Sequence, residues 1–423
     1  MPLASTGEPL NFVDALFTAT SATCVTGLIV VDTGTAFSTF GQIVILILIQ
    51  IGGLGIMTLS TFFIFIVVGQ FSILNRDVIQ ETLTQKPIKN LASLLKTTFL
   101  LTIILETIGA ILLTLRFVNA FPLKKAAYLG IFHSISAFCN AGFSLFYNSF
   151  ENYEADYVIN AILIILIILG GIGYIVLQDL RQGLRKKNGR CFFQISFHSK
   201  IVLVTTLFLI IFGAINIFIL EHENVLHGYP LDIKMLTSVF QSVTTRTAGF
   251  NTLNISDLTN VSLFFIIILM FIGASPGSCG GGIKTTTFTA LIAFLISRFR
   301  NQREVNIRYR RVPEEIISKV ISITFFSIIV IIVATLTLMV SEIGEVSHQQ
   351  SRGMFVEILF EVVSAFGTVG LSTGLTTSLT VFGKILISLV MFIGRLGPLT
   401  VALAIGAKEP LKFRYAKENF LVG

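Results

Sequence analysis

The sequence predicts an all-α integral membrane protein built from four fused repeats, each an outer helix, a re-entrant loop and an inner helix. Three observations carry this: apolar runs without charge, positive charge confined to alternate connections, and a short motif that returns four times.

Of 423 residues, 53% are hydrophobic and 13% charged, a composition that no single soluble core can hide. Charge-free runs at 43–50, 62–68, 99–105, 161–169, 201–211, 263–272 and 321–335 extend through their flanks. Most reach the ~20 residues that cross about 30 Å of hydrocarbon. Seven spans are expected, near 40–68, 91–118, 155–180, 199–220, 258–298, 314–341 and 379–406. The fifth is too long for one straight helix, and its Gly-rich centre accounts for that.

The net charge of +7 raises the question of nucleic acid, so the position of the charge matters. With alternate connections taken as cytoplasmic, the stretches 70–96, 181–200, 284–319 and 408–417 hold 22 Lys and Arg. The opposite side holds six: Arg116, Lys124, Lys125, Lys234, Arg246 and Arg352. This positive-inside bias places Met1 outside and Gly423 in the cytoplasm, as seven crossings require. The lipid bilayer thus explains the basic charge, and no nucleic acid is expected.

Cys24, Cys139, Cys191 and Cys279 are widely separated and lack C-x-x-C spacing, so neither a disulfide framework nor a zinc site is indicated. His133, His198, His222, His227 and His348 are scattered, and no catalytic triad or nucleotide fold is visible. An enzyme is not expected. The first ten residues lack the basic and apolar regions of a signal peptide.

The motif reads FTATSATCVTGL from Phe17 to Leu28, FHSISAFCNAGF from Phe132 to Phe143 and FEVVSAFGTVGL from Phe360 to Leu371. All three fit F-x-x-x-S-A-x-x-x-x-G. The third copy in chain order, FQSVTTRTAGF from Phe240 to Phe250, is one residue shorter before its Gly and lacks the Ser-Ala pair. The glycines Gly27, Gly142, Gly249 and Gly370 lie 115, 107 and 121 residues apart, room for an inner helix, a cytoplasmic turn and an outer helix. The units therefore fall at 1–70 (loop and inner helix only), 71–190, 191–305 and 306–423, the last with a cytoplasmic tail. The inner helices repeat as well: Gly52-Gly53-Leu54-Gly55 matches Gly170-Gly171-Ile172-Gly173, Ile272-Gly273 opens the third and Ile393-Gly394-Arg395-Leu396-Gly397 the fourth. These helix glycines either serve close packing alone or belong to the repeated design. The loop glycines need another account, because they end segments too short to cross.

Non-helical backbone at membrane depth survives only when buried in protein or lining water. A half-helix that enters and turns out as extended chain exposes carbonyl oxygens, and four such turns around one axis can replace a cation's hydration shell. Gly permits the positive backbone angles of that turn. The small residues before it, Val25-Thr26, Asn140-Ala141, Thr247-Ala248 and Thr368-Val369, let four strands approach. With Gly27, Gly142, Gly249 and Gly370 they form the expected filter.

On these motifs the chain resembles the Trk/Ktr/HKT superfamily, and within it the membrane subunit of the bacterial Ktr-type potassium transporters. The resemblance covers almost the whole chain. It implies outer helix–pore loop–inner helix units around one pseudo-fourfold pore, with one Gly per loop. An all-Gly set implies K+ as the transported ion, held at filter carbonyls, whereas Ser in the first loop goes with sodium. A sodium-permeable relative is the alternative. The resemblance further implies a homodimer in the cell membrane with one pore per chain, Na+ as an activator and no organic cofactor. It also implies a separate cytoplasmic nucleotide-binding regulatory ring, docked on basic surfaces such as Arg298 to Arg311 and the tail after Lys408. The chain departs from the pattern at its start, where about ten residues precede the first loop segment. The first outer helix is missing from this chain, through a truncated start or because the unit is completed otherwise.

The third inner helix is interrupted over 274–287, ASPGSCGGGIKTTT. One Pro and four glycines there make a continuous helix cost about 3 and 1 kcal/mol per residue respectively. The segment should unwind below the filter. A nucleotide-binding P-loop nearly fits, but Ile283 separates Gly282 from Lys284 and breaks G-x-x-x-x-G-K. A plain kink is the other reading. In Ktr-type proteins the matching loop is the intramembrane gate, so the resemblance assigns Ala274, Gly277, Ser278, Gly280, Gly281, Gly282, Lys284 and Thr285 to it. Arg395, at a depth where a guanidinium costs roughly 2.5–3.5 kcal/mol, should face the pore or loop carbonyls, or else pair with a carboxylate on another helix. Glu106 is that partner or a dimer contact. Arg246 is expected to brace the filter from the extracellular side, and Asp14 and Glu361 either attract cations or brace the loops.

Overall fold

The computed structural model describes residues 2–7, 9–55, 91–183, 195–344, 346–347 and 349–397. Three long helices, Leu91–Phe117, Phe197–Glu221 and Glu314–Glu342, occupy the outer positions of units two, three and four. The 25 residues of Phe197–Glu221 span about 38 Å, enough to cross ~30 Å of hydrocarbon. Large apolar side chains such as Ile103, Ile111, Leu207, Phe208, Val333 and Leu336 point outward from these helices. Such a surface suits lipid and not water.

Each unit also contains a short helix: Phe12–Cys24, Leu123–Phe138, Leu231–Thr244 and Met354–Gly367. At 13 to 16 residues these rise about 20–24 Å, less than a crossing. The motif phenylalanines Phe17, Phe132, Phe240 and Phe360 are fully buried and seat the short helices in the core. Apolar clusters run across unit boundaries, one of them joining Phe17 and Leu28 of the first unit to Met270 of the third and Phe360 and Val390 of the fourth.

The inner helices are Thr39–Leu54, Tyr157–Gly171, Asn260–Phe271 and Val381–Leu396. Each starts on a capping side chain, Ser38, Asp156, Thr259 or Thr380, which accepts a free N–H of the first turn. Such a cap is worth about 1 kcal/mol. The far end of the outer helix grips the same cap. Glu221 accepts from Thr259 N and Oγ1 at 3.0 and 2.8 Å, Glu342 accepts from Thr380 N and Oγ1 at 3.1 and 2.7 Å, and Arg116 Nε donates to Asp156 at 2.8 Å. Outer and inner helices of one unit are thereby tied at one end, which sets the frame around the loop between them.

The inner helices stop early. Gly55, Gly173 and Gly397 all have positive φ, of 85°, 92° and 90°, directly after the glycine motif. Glycine takes a positive φ at little steric cost, which lets the chain leave the helix there. The span expected near 155–180 is apolar enough over its two helices together but is broken, bending by 99° between Tyr157–Gly171 and the following helix, which starts at Tyr174. The third inner span breaks as expected, between Asn260–Phe271 and Thr285–Phe299. The continuation of the first span beyond Gly55, most of the linker 70–96, residues 184–194, the last span after Gly397 and the basic tail from Lys408 lie outside the described residues. On the side of the second half-helix, Asn306–Ile307 and Arg310–Arg311 pair as a small antiparallel hairpin.

Candidate functional site

Immediately after each short helix, the chain takes one conformation four times. A non-glycine residue adopts positive φ two positions before the loop glycine: Val25 at 57°, Asn140 at 58°, Thr247 at 73° and Thr368 at 50°. The glycines follow at 95° for Gly27, 71° for Gly142, 76° for Gly249 and 90° for Gly370. Val25, Thr26, Asn140, Ala141, Thr247, Ala248, Thr368 and Val369 are all completely buried.

The four loops meet in a closed cycle. A methyl group added at Gly27 would lie 2.5 Å from the Ala141 carbonyl oxygen, at Gly142 3.0 Å from that of Ala248, and at Gly249 2.5 Å from that of Val369. At Gly370 it would strike the Thr26 carbonyl oxygen. Each glycine thus faces the residue that precedes the next unit's glycine, in the order one, two, three, four, one. Only a residue without Cβ fits such an approach.

The serine of the motif holds the loop. Ser21 Oγ accepts from Gly27 N and Ser364 Oγ from Gly370 N, both at 3.1 Å, while Ser136 Oγ donates to the Phe143 carbonyl at 2.7 Å. In the third unit Thr244, at the same spacing from its phenylalanine, donates to the Phe250 carbonyl at 2.5 Å. The missing residue of that unit is therefore absorbed at the helix end, not in the loop. Sequence reasoning passed over these hydroxyls, although the fixed F-to-S spacing was the signal. The residue after the motif phenylalanine anchors the returning limb in two units. His133 Nε2 meets Ser144 Oγ at 3.1 Å and accepts from Leu145 N, and Glu361 accepts from Ser372 and from Thr376 Oγ1 at 2.8 Å. Of the two readings for Glu361, bracing the loop is the one the contacts match.

Beneath the ring lies the interruption of the third inner helix, pinched at its base by pairing of Ile272 with Ile283. Its backbone takes over the end of the second inner helix: Ser275 N donates to Gly171 O, Cys279 N to Gly170 O, and Tyr174 N to Gly277 O at 2.9 Å. The first two bonds satisfy carbonyls that a terminated helix leaves free and the third satisfies an N–H at the start of the next helix, which is why the chain can bend there. Gly281 N donates to Thr368 Oγ1 at 2.8 Å, and a Cβ on Gly280 would collide with Thr247. The interrupted segment therefore touches the loops of both the third and the fourth units, at Thr247 and Thr368. Within it, Lys284 Nζ donates to Gly280 O at 2.6 Å, Ser278 Oγ to Ser275 O at 2.6 Å, Thr285 Oγ1 bonds Ser275 Oγ at 3.0 Å and Thr285 N donates to Ala274 O. Gly277 and Gly282 need positive φ, 68° and 69°.

Arg395 donates to the carbonyls of Cys279 and Gly52, joining the fourth inner helix to this loop and to the first inner helix. Its partners are carbonyls, so the carboxylate reading for Arg395 is set aside. Glu106 instead accepts from Gln50 Nε2 at 3.1 and 3.3 Å. Arg246 corrects another expectation: its Nη1 donates at 3.3 Å to the Thr206 carbonyl, mid-way along Phe197–Glu221, so it anchors the loop base against the outer helix and does not brace the outer face. Asp14 forms a 2.7 Å ion pair with Lys384 of the fourth inner helix, a brace between units one and four. The inner-helix glycines serve close packing. A Cβ on Gly52, Gly170 or Gly394 would collide with the carbonyl of Thr23, Phe138 or Phe366, in each case the fourth residue before the loop glycine.

Among the described residues, no group of three or more His, Cys, Asp or Glu side chains is arranged to hold a metal ion. Comparison with known proteins gives the architecture a family. Residues 1–413 match the family model TrkH, cation transport protein. The chain is 40% identical over 422 residues to the Ktr system potassium uptake protein B of Bacillus subtilis, covering 99% of this chain and 91% of that protein. It is 34% identical to the potassium/sodium uptake protein NtpJ of Enterococcus hirae, covering 99% and 91%. The crystal structure of the potassium transporter TrkH from Vibrio parahaemolyticus shares its fold with a TM-score of 0.72, at 19% identity, over 94% of this chain and 78% of that one. The chain belongs to the TrkH family of cation transport proteins.

Proposed function

We propose that this chain is the membrane-embedded, conducting subunit of a potassium uptake system and passes K+ through the ring of four loops. The observation that carries this is the closed cycle in which each loop glycine faces the carbonyl of the next loop. Carbonyl oxygens gathered around one axis substitute for the hydration shell of a cation. The four short helices end at the ring, and each C-terminus adds roughly half a negative charge, which favours a cation there. The filter comprises Val25-Thr26-Gly27, Asn140-Ala141-Gly142, Thr247-Ala248-Gly249 and Thr368-Val369-Gly370. The names of the relatives, potassium uptake protein and potassium/sodium uptake protein, support the same ion class.

The loop 274–287 acts as the gate beneath this filter, with Arg395 as its anchor. Its bonds to the second inner helix, to Thr368 and to Arg395 support that role, since they hold it against the second and fourth units and, through Arg395, link it to the first. The positive-inside bias sets the N-terminal side outside and the C-terminal side in the cytoplasm. The chain works as a homodimer with one pore per chain, and a cytoplasmic nucleotide-binding ring docks on the basic segment 298–311 and regulates the gate. The word "system" in the name of the Bacillus subtilis relative supports such a further component.

The name of the Enterococcus hirae relative favours a second reading, in which sodium also permeates. Rubidium uptake in cells lacking their own potassium transporters, with and without sodium, tests both. Saturable rubidium uptake that potassium competes away, and that sodium accelerates without itself accumulating, is the expected result. Comparable accumulation of sodium selects the second reading, and no uptake by a normally expressed chain refutes the function.

A further inference from the structure

At the end of the third unit that the positive-inside bias assigns to the cytoplasm, a groove of about 100 Å³ opens between the outer helix Phe197–Glu221 and the half-helix Thr285–Phe299. Thr205 Oγ1 and Thr289 Oγ1 line it from the two helices and join its walls by a 2.8 Å bond. The outer-helix wall changes character along its length. Phe197 begins the helix, Lys200 follows within its first turn, and Ile201 and Val204 continue toward the membrane centre. From Phe197 to Val204 the helix rises about 10 Å. Val204 is 54% exposed, and Leu207 and Phe208 extend the outward apolar surface beyond it. The mouth, in contrast, is basic. Arg308 and Tyr309 form the two-residue tip of the hairpin closed by Ile307 and Arg310, and Arg308 lines the groove together with Lys200. The Arg310 guanidinium lies 5.1 Å from the Phe197 ring and adds a third cation there. Among the described residues neither Lys200 nor Arg308 has an ion-pair partner. Carboxylates close to them in the chain are engaged elsewhere: Glu304 pairs with Arg311 at 2.7 Å, and Asp179 accepts from Ser196 N at 2.8 Å.

We propose that this groove holds an anionic phospholipid of the cytoplasmic leaflet, with its headgroup on Lys200 and Arg308 and one acyl chain along Ile201 and Val204. Two exposed cations without carboxylates at a membrane boundary attract an anionic headgroup. A slot that runs from them into an apolar, outward-facing wall matches the polarity of a whole phospholipid, whereas a soluble phosphate has no use for the apolar wall. Tyr309, fully exposed beside Arg308, suits a ring placed at headgroup level. Lys200 lies outside the segment 298–311 assigned to the cytoplasmic ring, so the two occupants can be told apart. The inference does not depend on which ion permeates.

The chain contains no Trp, so Val204→Trp introduces a single reporter in the groove. The full chain carrying it is reconstituted in phosphatidylcholine vesicles, and phosphatidylglycerol or phosphatidylcholine brominated on the acyl chains is added in increasing proportion, since bromine quenches tryptophan on contact. Half-quenching is expected at a several-fold lower mole fraction of the brominated phosphatidylglycerol. Adding Lys200→Gln and Arg308→Gln to the reporter should remove the preference. Ile321→Trp is the control: it sits as far into the outer helix Glu314–Glu342 as Val204 does into its own, but the first turn there holds Glu314 and Glu315, and no preference is expected. The lipid comparison in the single variant decides the site even where the triple variant does not express. Equal quenching by the two lipids, a preference that survives the double substitution, or an equal preference in Ile321→Trp overturns the proposal. Displacement of the brominated lipid by glycerol phosphate assigns the mouth to a soluble phosphate and also overturns it. So does loss of ring capture in Lys200→Gln with equal quenching by both lipids, which gives the groove to the protein partner.

Discussion

Gly27→Ser places a side chain at one of the close contacts of the ring. Its backbone, at φ 95°, lies where a residue with Cβ costs about 1–3 kcal/mol. Its Cβ would stand 2.5 Å from the Ala141 carbonyl oxygen and 3.0 Å from Gly142 Cα. To restore ordinary van der Waals separation of about 3.5 Å, the second loop has to retreat by roughly 1 Å. Such a shift moves a carbonyl that the reading assigns to ion coordination, so it should weaken discrimination between ions more than it weakens folding. A coordination loss of about 1.4 kcal/mol corresponds to a tenfold change in selectivity. The expected outcome is a potassium-to-sodium flux ratio roughly tenfold lower, measured by paired rubidium and sodium uptake at matched expression. Gly374→Ala is the control. Gly374 has φ 98° but nothing within 4 Å of an added Cβ, so it carries the backbone strain without the contact. An unchanged flux ratio in Gly27→Ser, or an equal loss in Gly374→Ala, refutes the filter argument.

Three further outcomes are expected. Deleting Gly280 to Gly282 and replacing Arg395 by Ala should each raise potassium flux several-fold, and because Arg395 holds the Cys279 carbonyl the two should combine less than additively in free energy; wild-type or lower flux in both, with ion preference intact, reduces the interruption to a packing kink. Asp14→Asn should lower thermal stability by about 3 kcal/mol, because it leaves Lys384 unpaired, and adding Lys384→Met should recover most of that, as read from melting in detergent. Neutralising Arg308, Arg310 and Arg311 together should weaken capture of the cytoplasmic ring without altering selectivity; since Arg311 pairs with Glu304 at 2.7 Å and Arg310 lies 5.1 Å from the Phe197 ring, Arg308→Gln alone separates docking from local disruption of the hairpin.

What the sequence revealed was whatever the local backbone demands. The glycines at 27, 142, 249 and 370 were visible because a positive φ at a close approach excludes other residues, and the break after Phe271 because Pro276 and its glycines cannot propagate a helix. The bend after Gly171 escaped notice for a physical reason. Gly52-Gly53-Leu54-Gly55 and Gly170-Gly171-Ile172-Gly173 are nearly the same string, and what permits the second helix to turn by 99° is a set of bonds from Ser275, Gly277 and Cys279, about a hundred residues away. The same holds for Arg246, whose depth depends on Thr206 in the preceding outer helix, and for Asp14, whose partner Lys384 lies in the other terminal unit. A charge in an apolar segment announces a partner, but not which one.

Arg395 marks a difference between the fourth inner helix and the first two. Aligned on the colliding glycines Gly52, Gly170 and Gly394, it occupies the position of Gly53 in the first unit and Gly171 in the second. Small residues at those two sites leave room for Cys139 and for the Asn140 side chain, while the fourth unit fills the corresponding space with a guanidinium that reaches two carbonyls from two other units. A cation near helix C-termini is electrostatically favoured, yet under the function proposed above it would repel an ion held in the four loops. Its bond to Cys279 makes these two effects one device. On the proposed gate reading, a displacement of the loop either breaks that bond, leaving the Cys279 carbonyl unpaired and the guanidinium held by the Gly52 carbonyl alone, or draws the positive charge aside with the loop. In the second case the steric and electrostatic obstacles clear together, so Arg395→Lys, which keeps the charge but loses the two-carbonyl reach, should hold the loop less firmly and still slow the ion.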